Sequence, residues 1–200
     1  MAPDQRAGEP IAHLVLTTTH TRLTSLQGRL AHGRDRHVPA QLIRSTPPDD
    51  PSLWLLLDLT GLHPAGADLA EHAYRRAATA VTAAAQLWAR TDLTHQRTTA
   101  QRPTVLGQAL ASAVAARPGG EDDLARLLRA HTLPEALRYL LVLLHHAAPA
   151  RLDFALLARD LYTWQTQDGP RRVGQLWVHA YTTAKARTTS TNNSATPTSS

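Results

Sequence analysis

The chain of 200 residues has no cysteine. That excludes a disulfide scaffold, a thiol nucleophile and every thiolate metal site. It has one phenylalanine, one methionine and, among 21 basic residues, a single lysine, Lys185. β-Branched aliphatics are scarce: 8 Val and 2 Ile stand against 34 Ala and 31 Leu. Ala and Leu form helices readily, whereas Val and Ile favour strands, so a β-sandwich or a parallel α/β sheet is close to excluded. Long apolar runs are missing too. The longest, Leu53 to Leu57 and Tyr139 to Leu144, fall far short of the ~20 residues of a membrane span. No basic stretch followed by an apolar core opens the chain, so no secretory signal is expected. A cytoplasmic, all-α protein is the expectation.

Charge gives the first functional direction. Twenty-one Lys+Arg against 16 Asp+Glu leave a net +5. Arginine offers a planar fork of donors that suits phosphate, and it stacks on bases. The excess therefore fits an anionic partner. It equally fits a GC-rich coding bias that replaces Lys with Arg throughout, and composition alone does not separate the two.

Periodicity predicts a two-lobed bundle of roughly eight helices. Residues 1–10 are polar and expected to be disordered. Ile11, Leu14, Val15, Leu23, Leu26 and Leu30 mark one face of a first helix. The Thr17-Thr18-Thr19 run weakens it, because branched side chains resist helix. A basic loop, His32 to His37, leads to a short helix ending near Arg44. Asp50-Pro51 reads as an N-cap with proline at the first helical position. The helix it opens, around Leu53 to Leu59, is apolar on nearly all sides and is expected at the centre. A long Ala-rich helix follows from Ala67 to Thr91. Asp92 to Pro103 shows no apolar periodicity and is expected to be a loop. Leu106, Ala109, Leu110 and Ala113 mark the next helix, and Pro118-Gly119-Gly120 breaks it. That turn divides an N-terminal lobe, 11–117, from a C-terminal lobe, 121–184. Thr132 with Glu135 forms a capping box, and Asp153 caps the helix after it. The final helix carries Val173, Leu176, Trp177 and Tyr181 inward. The tail 188–200 has no charged residue and is expected to be disordered.

Catalytic patterns are nearly absent. His145-His146 are neighbours about 100° apart on a helix and cannot share a metal as an i,i+4 pair does. Glu71-His72 lacks the second histidine of a zinc-protease motif, and no glycine loop cradles phosphate. Asp153 reads as a cap and Asp160 as part of a solvated stripe. Trp54, Trp88, Trp164 and Trp177 fall on faces expected to be buried, which favours packing over base stacking. No catalytic residue, metal or cofactor is expected.

Leu152 to Gln165, LDFALLARDLYTWQ, is followed by Arg171-Arg172-Val173 and Trp177. This resembles the signature end of the CasB family, the small subunit of the type I-E CRISPR surveillance complex Cascade. The family pattern is an apolar–Asp–aromatic opening, a Leu-Ala-x-x-Leu core with Trp near the helix end, then a Val-x-x-x-Trp helix. Upstream, Leu106-Gly107-Gln108-Ala109-Leu110, Arg126 to Ala130 and Leu137 to His146 are similar to further family stretches. Asp50-Pro51 before Trp54 resembles its Pro-x-x-Trp helix. Two departures stand out. Gln108 replaces a usual basic residue, and Val173 to Tyr181 lacks the arginines that the family's last helix carries.

The resemblance implies a non-catalytic, all-helical subunit that sits beside a second copy of itself on the other Cascade subunits. It implies contact with target DNA, stabilising the displaced strand of the R-loop in antiviral defence, with the guide RNA touched only indirectly. Such a protein needs surface arginine and no active site, because the guide already reads sequence by base pairing. Basic positions matched to the family's loops and helix ends are Arg44, Arg97, Arg102, Arg126, Arg129 and Arg138. Arg34 and Arg36 join them on loop charge alone. The alternative is a helical regulator or adaptor that binds a small ligand or protein partner in an apolar pocket, with its arginines scattered.

Overall fold

The computed structural model describes residues 8–45, 47–62, 70–91, 93–95, 104–147 and 151–193. In chain order they form α1 (Gly8–Ala31), α2 (His37–Arg44), α3 (Pro51–Leu56), a 3-10 turn (Leu59–Leu62) and α4 (Glu71–Arg90). Then come β1 (Thr94–His95), α5 (Thr104–Ala116), α6 (Gly120–Arg129) and α7 (Leu133–Leu144). The last elements are β2 (Arg151–Leu152), α8 (Phe154–Trp164) and α9 (Gly169–Asn193). The all-α class is as expected. The two short strands pair in parallel, Thr94 with Arg151 and His95 with Leu152. They fall where a loop is predicted, because two residues cannot show alternation.

The central helix is α4, not the apolar segment at Leu53. From Ala77 to Trp88 every α4 residue is buried. The Leu53 segment is short because Asp58 adopts a left-handed φ of 48° and stops the helix. Its leucines are then divided. Leu53 is buried on α3, Leu57, Leu59 and Leu62 reach the core from the turns that follow, and Leu55 points outward at 83% exposure. Leu176 on α9 is likewise exposed where burial is expected.

The three expected caps form. Asp50 accepts from Ser52 N at 2.8 Å. Asp153 Oδ1 accepts from Ala155 N and Leu156 N at 3.0 and 3.1 Å. Thr132 Oγ1 accepts from Glu135 N at 3.4 Å, while the Glu135 carboxylate accepts from His131 N at 3.3 Å. The threonine run of α1 stays helical because its hydroxyls bond back to the preceding turn. Thr17 Oγ1 donates to His13 and Leu14 carbonyls at 3.1 Å, and Thr19 Oγ1 to Val15 O at 2.7 Å. α1 begins at Gly8, inside the stretch 1–10, and the α9 backbone continues to Asn193, beyond 188. Extending an existing helix needs no new nucleus, so its ends overrun the apolar pattern.

Packing crosses the Pro118-Gly119-Gly120 turn in both directions. α8 lies against α1 and α4, and α5 lies along α9 and against α6 and α7. Buried residues from Val15 to Tyr181 join in one apolar core.

Two glycines show how tightly these helices meet. A Cβ on Gly107 of α5 would overlap the carbonyl group of Ala180 on α9. The two backbones therefore touch. A Cβ on Gly174 of α9 would meet only Leu128 Cδ2, at an ordinary 3.7 Å. Overpacking costs ~1–3 kcal/mol, more than the ~1 kcal/mol that Ala gains over Gly in a helix. Gly107→Ala should therefore lower the melting temperature, by up to roughly 8 °C at ~2–4 °C per kcal/mol for a chain of this size. Gly174→Ala should raise it, because only the helix gain applies. Thermal unfolding followed by circular dichroism checks both, and an unchanged Gly107→Ala protein would show that α5 and α9 separate at no cost.

Candidate nucleic-acid interface

Arg34 and Arg36 project from the turn that ends α1. Gly33, at φ +75°, donates to Leu30 O at 2.9 Å, and Arg34 N donates to Arg29 O at 2.8 Å. This Schellman pair reverses the chain. Arg29 Nε then pins Asp35 at 2.8 Å, so the loop has a fixed shape with Arg34 and Arg36 exposed on either side of the carboxylate. Arg44 is exposed in the last turn of α2. The carbonyls around that helix end are served by α4. Arg90 Nη2 donates to Ile43 O and Ser45 O at 3.0 and 3.2 Å, and Gln86 Nε2 donates to Ser45 O at 2.8 Å. Eight helical residues span about 12 Å, so α2 carries basic groups at both ends of a short rod.

Arg126 and Arg129 are exposed in the last turns of α6, and Arg138 is exposed on α7, which packs against α6. Their guanidinium groups differ in how far they are engaged. Arg126 Nη1 lies 3.9 Å from Asp123 Oδ1. Arg129 Nε donates to Ala125 O within its own helix at 3.1 Å. Arg138 lies over the Tyr139 ring, 4.8 Å from its centroid, and donates to its hydroxyl at 2.8 Å. All three keep further N–H donors, since a guanidinium carries five. Asp123 is the buried member here. Arg117 Nη1 approaches its Oδ2 at 3.2 Å as an ion pair without hydrogen-bond alignment.

The structure thus places Arg34, Arg36 and Arg44 on one short helix and its entry loop. It places Arg126, Arg129 and Arg138 on a packed helix pair. α2 packs on α4, whereas α6 packs on α7 and α5, so the two groups sit on different parts of the core. Arg97 and Arg102 lie outside the described residues. Arg171 and Arg172, exposed in the first turn of α9, extend the set. The signal for them is the Asp168-Gly169-Pro170 turn, which forces a helix start beside an arginine pair.

Asp160 and three of the four tryptophans serve packing. Asp160 is not part of a solvated stripe. Its Oδ2 accepts from Trp177 Nε1 at 2.9 Å and its Oδ1 from Arg159 Nη2 at 3.2 Å. Burial pushes its carboxyl above the usual range, against the Trp177 and Arg159 contacts, which pull it down. Trp164 stacks on Trp177 with ring centroids 5.2 Å apart, and Trp88 is also buried, so none of the three is a platform for bases. Trp54 is half-buried, edge-on to Tyr74. His145 and His146 are exposed at the end of α7. Among the described residues no group of three or more His, Asp or Glu is placed to hold a metal, and no helix is long and apolar enough to cross a membrane.

One buried cluster escaped the sequence. His95 Nδ1 accepts from Phe154 N at 3.3 Å, and His95 Nε2 meets His20 Nδ1 at 3.0 Å. This pattern assigns the His95 proton to Nε2, which donates to His20. The pair joins α1, β1 and the start of α8. No spacing rule connects residues 75 apart in the chain.

The sequence model of the family "CRISPR-associated protein Cse2" matches residues 38–181, well over half of the chain. The fold and the dispersed arginines describe an all-helical protein with a partly basic surface. The chain belongs to the CRISPR-associated Cse2 family. The crystal structure of CasB from Thermobifida fusca has the same fold, with a TM-score of 0.63 at 22% identity, covering 86% of this chain and 97% of that one. None of the curated proteins matches the chain in sequence. The resemblance seen in the signature end is therefore borne out. Family membership implies a small subunit of a CRISPR Cascade complex, associated with other Cascade components.

The His95 cluster predicts a pH dependence. Burial holds His95 below the ordinary 6.5, and the His20 ring adds to the effect, while Asp153 and the Leu152 backbone oppose it. Below about pH 6.5 the unfolded chain binds a proton here that the folded chain refuses. Stability should therefore fall as pH falls through that value, until the folded-state imidazole also titrates. Urea unfolding at pH 7.5, 6.5 and 5.5 tests this. His95→Gln should flatten the profile, and an equally steep profile in that variant would assign the acid sensitivity elsewhere.

Proposed function

We propose that this chain is a non-catalytic small subunit of a type I-E Cascade complex that holds target DNA without regard to sequence. It stabilises the displaced strand of the R-loop in antiviral defence, in the cytoplasm, beside a second copy of itself and the other subunits. The guide RNA is reached only through those subunits. One observation supports this reading most: six exposed arginines, Arg34, Arg36, Arg44, Arg126, Arg129 and Arg138, stand at helix ends, in a loop and on an outer helix face. Guanidinium groups on a rigid helical frame suit a phosphate backbone, and sequence-blind holding suffices when a guide RNA does the reading. Arg97 and Arg102 belong to the same proposal through their match to the family's basic positions.

The free protein should bind DNA weakly, with a log–log salt slope of roughly −2 to −5 at ~0.7–0.9 per phosphate. Replacing Arg126, Arg129 and Arg138 with alanine should shallow that slope by up to ~3 units. The fold should survive, because exposed ion pairs contribute little and no apolar core is disturbed. In an assembled complex the triple variant should destabilise the R-loop and leave guide-RNA loading intact. Titrations at several salt concentrations and an R-loop footprint measure these outcomes. An unchanged slope with normal R-loops would remove the three residues from the interface. No DNA affinity even within the complex would favour the ligand-binding adaptor. The purified chain should cleave neither single- nor double-stranded DNA with Mg²⁺ or Mn²⁺, and cleavage lost on changing one acidic residue would refute the non-catalytic reading.

A further inference from the structure

A groove of about 690 Å³ runs between the end of α6 and the first half of α9. Its volume lies within the ~300–1,000 Å³ range of small-molecule sites. Leu128, Gly174 and Val178 supply an apolar floor, and a Cβ at Gly174 would face Leu128 Cδ2 at 3.7 Å. Two histidines, His131 and His179, and two glutamines, Gln167 and Gln175, line the groove as well. Arg171 and Asp168 also line it. The α6 rim continues into Arg129 and Arg126, and the α9 rim into Arg172, all exposed.

We infer that this groove takes unpaired bases of single-stranded nucleic acid while the flanking arginines hold the adjoining phosphates. The inference rests on the displaced-strand reading above and adds a specific ligand site to it. Its chemistry separates a base from other occupants. An inorganic anion or a strongly acidic peptide would be repelled by Asp168 and would gain nothing from an apolar floor. A base is neutral, flat and edged with both donors and acceptors. Glutamine amides present both, a carboxylate accepts from exocyclic amino groups, and imidazoles stack on base faces. A duplex keeps its bases stacked inside, so the groove selects single strands. Sequence preference should be slight, because every base has a stacking face.

The test compares a fluorescent oligothymidylate with an abasic oligonucleotide of equal length, which keeps the phosphates and loses the bases. The full chain should bind the thymidylate about five- to tenfold more tightly, the yield of one or two well-placed contacts. Gly174→Phe sends a ring along the Cβ direction that faces Leu128. It should erase the difference and leave abasic binding unchanged. Gln175→Ala with His179→Ala, both exposed, repeats the test with no risk to the core. Equal affinity for the two oligonucleotides, untouched by these variants, would overturn the groove and leave the displaced-strand reading standing. A base preference that survives loss of Arg126, Arg129 and Arg138 would support the groove while removing those phosphate contacts. Binding to neither oligonucleotide would overturn both.

Discussion

Helix α4 has no wet side between Ala77 and Trp88, and six of those positions are alanine. Its neighbours must come close to a nearly bare backbone or leave voids, and interiors do not tolerate voids. α1 and α8 meet this demand directly, α2 from a third direction, and α3 and the 3-10 turn more lightly. The same economy recurs where α5 and α9 cross at Gly107 and Ala180. Once backbones are in contact, long charged side chains have no place inside. The arginines are displaced to helix ends, turns and the outer faces of α6 and α7. The distribution of charge is in this sense a consequence of core packing.

The polar groups that do remain inside are bonded largely by neighbouring backbone. Thr19 on α1 and Thr91, just past the end of α4, return their hydroxyls to carbonyls one turn back, at Val15 and Leu87. Gln86 crosses to the carbonyl at the end of α2, and Gln165 to that of Arg76 on α4. Asp153 and His95 both bond the first N–H groups of α8, the carboxylate on one side and the imidazole on the other. The Gln86, Gln165 and His95 bonds tie one element to another, so these polar groups fix the order of packing as well as satisfying themselves. His95 becomes the costly member in acid, where burial disfavours the protonated imidazole.

Local chemistry was legible in the sequence wherever a few consecutive residues decide the outcome. The caps at Asp50, Thr132 and Asp153, the break after Ala116 and the stripes of α6 and α7 are of this kind. What escaped depends on distant partners. Leu55 and Leu53 look alike in a leucine run, but two residues apart on α3 they face opposite sides, and the docking of that helix on the core decides which is buried. Asp160 looks solvated until Trp177 arrives 17 residues later to bond it. The His20–His95 contact and the strand pair at Thr94 need the whole fold. The candidate arginines were visible as residue types, but their grouping was not, because α2 and α6 are brought to different parts of the core by packing that no short window contains.

α9 is gripped by α5 along one side and by α8 along another, while α6 touches it only lightly. Val173, Trp177, Tyr181 and Ala184 turn to the grip and are buried. Gly174 and Val178 turn to α6, which does not fill the space. The groove is therefore what remains when one long helix is claimed by two close neighbours and approached by a third. Phosphate and base contacts would respond differently to the solvent there. The phosphate contribution weakens with salt because released counterions lose their entropic advantage. Contact of a base with an apolar floor does not involve those ions. A holding subunit that joined the two would let arginine gather the strand quickly at long range, and would keep part of its grip at salt concentrations where charge alone lets go.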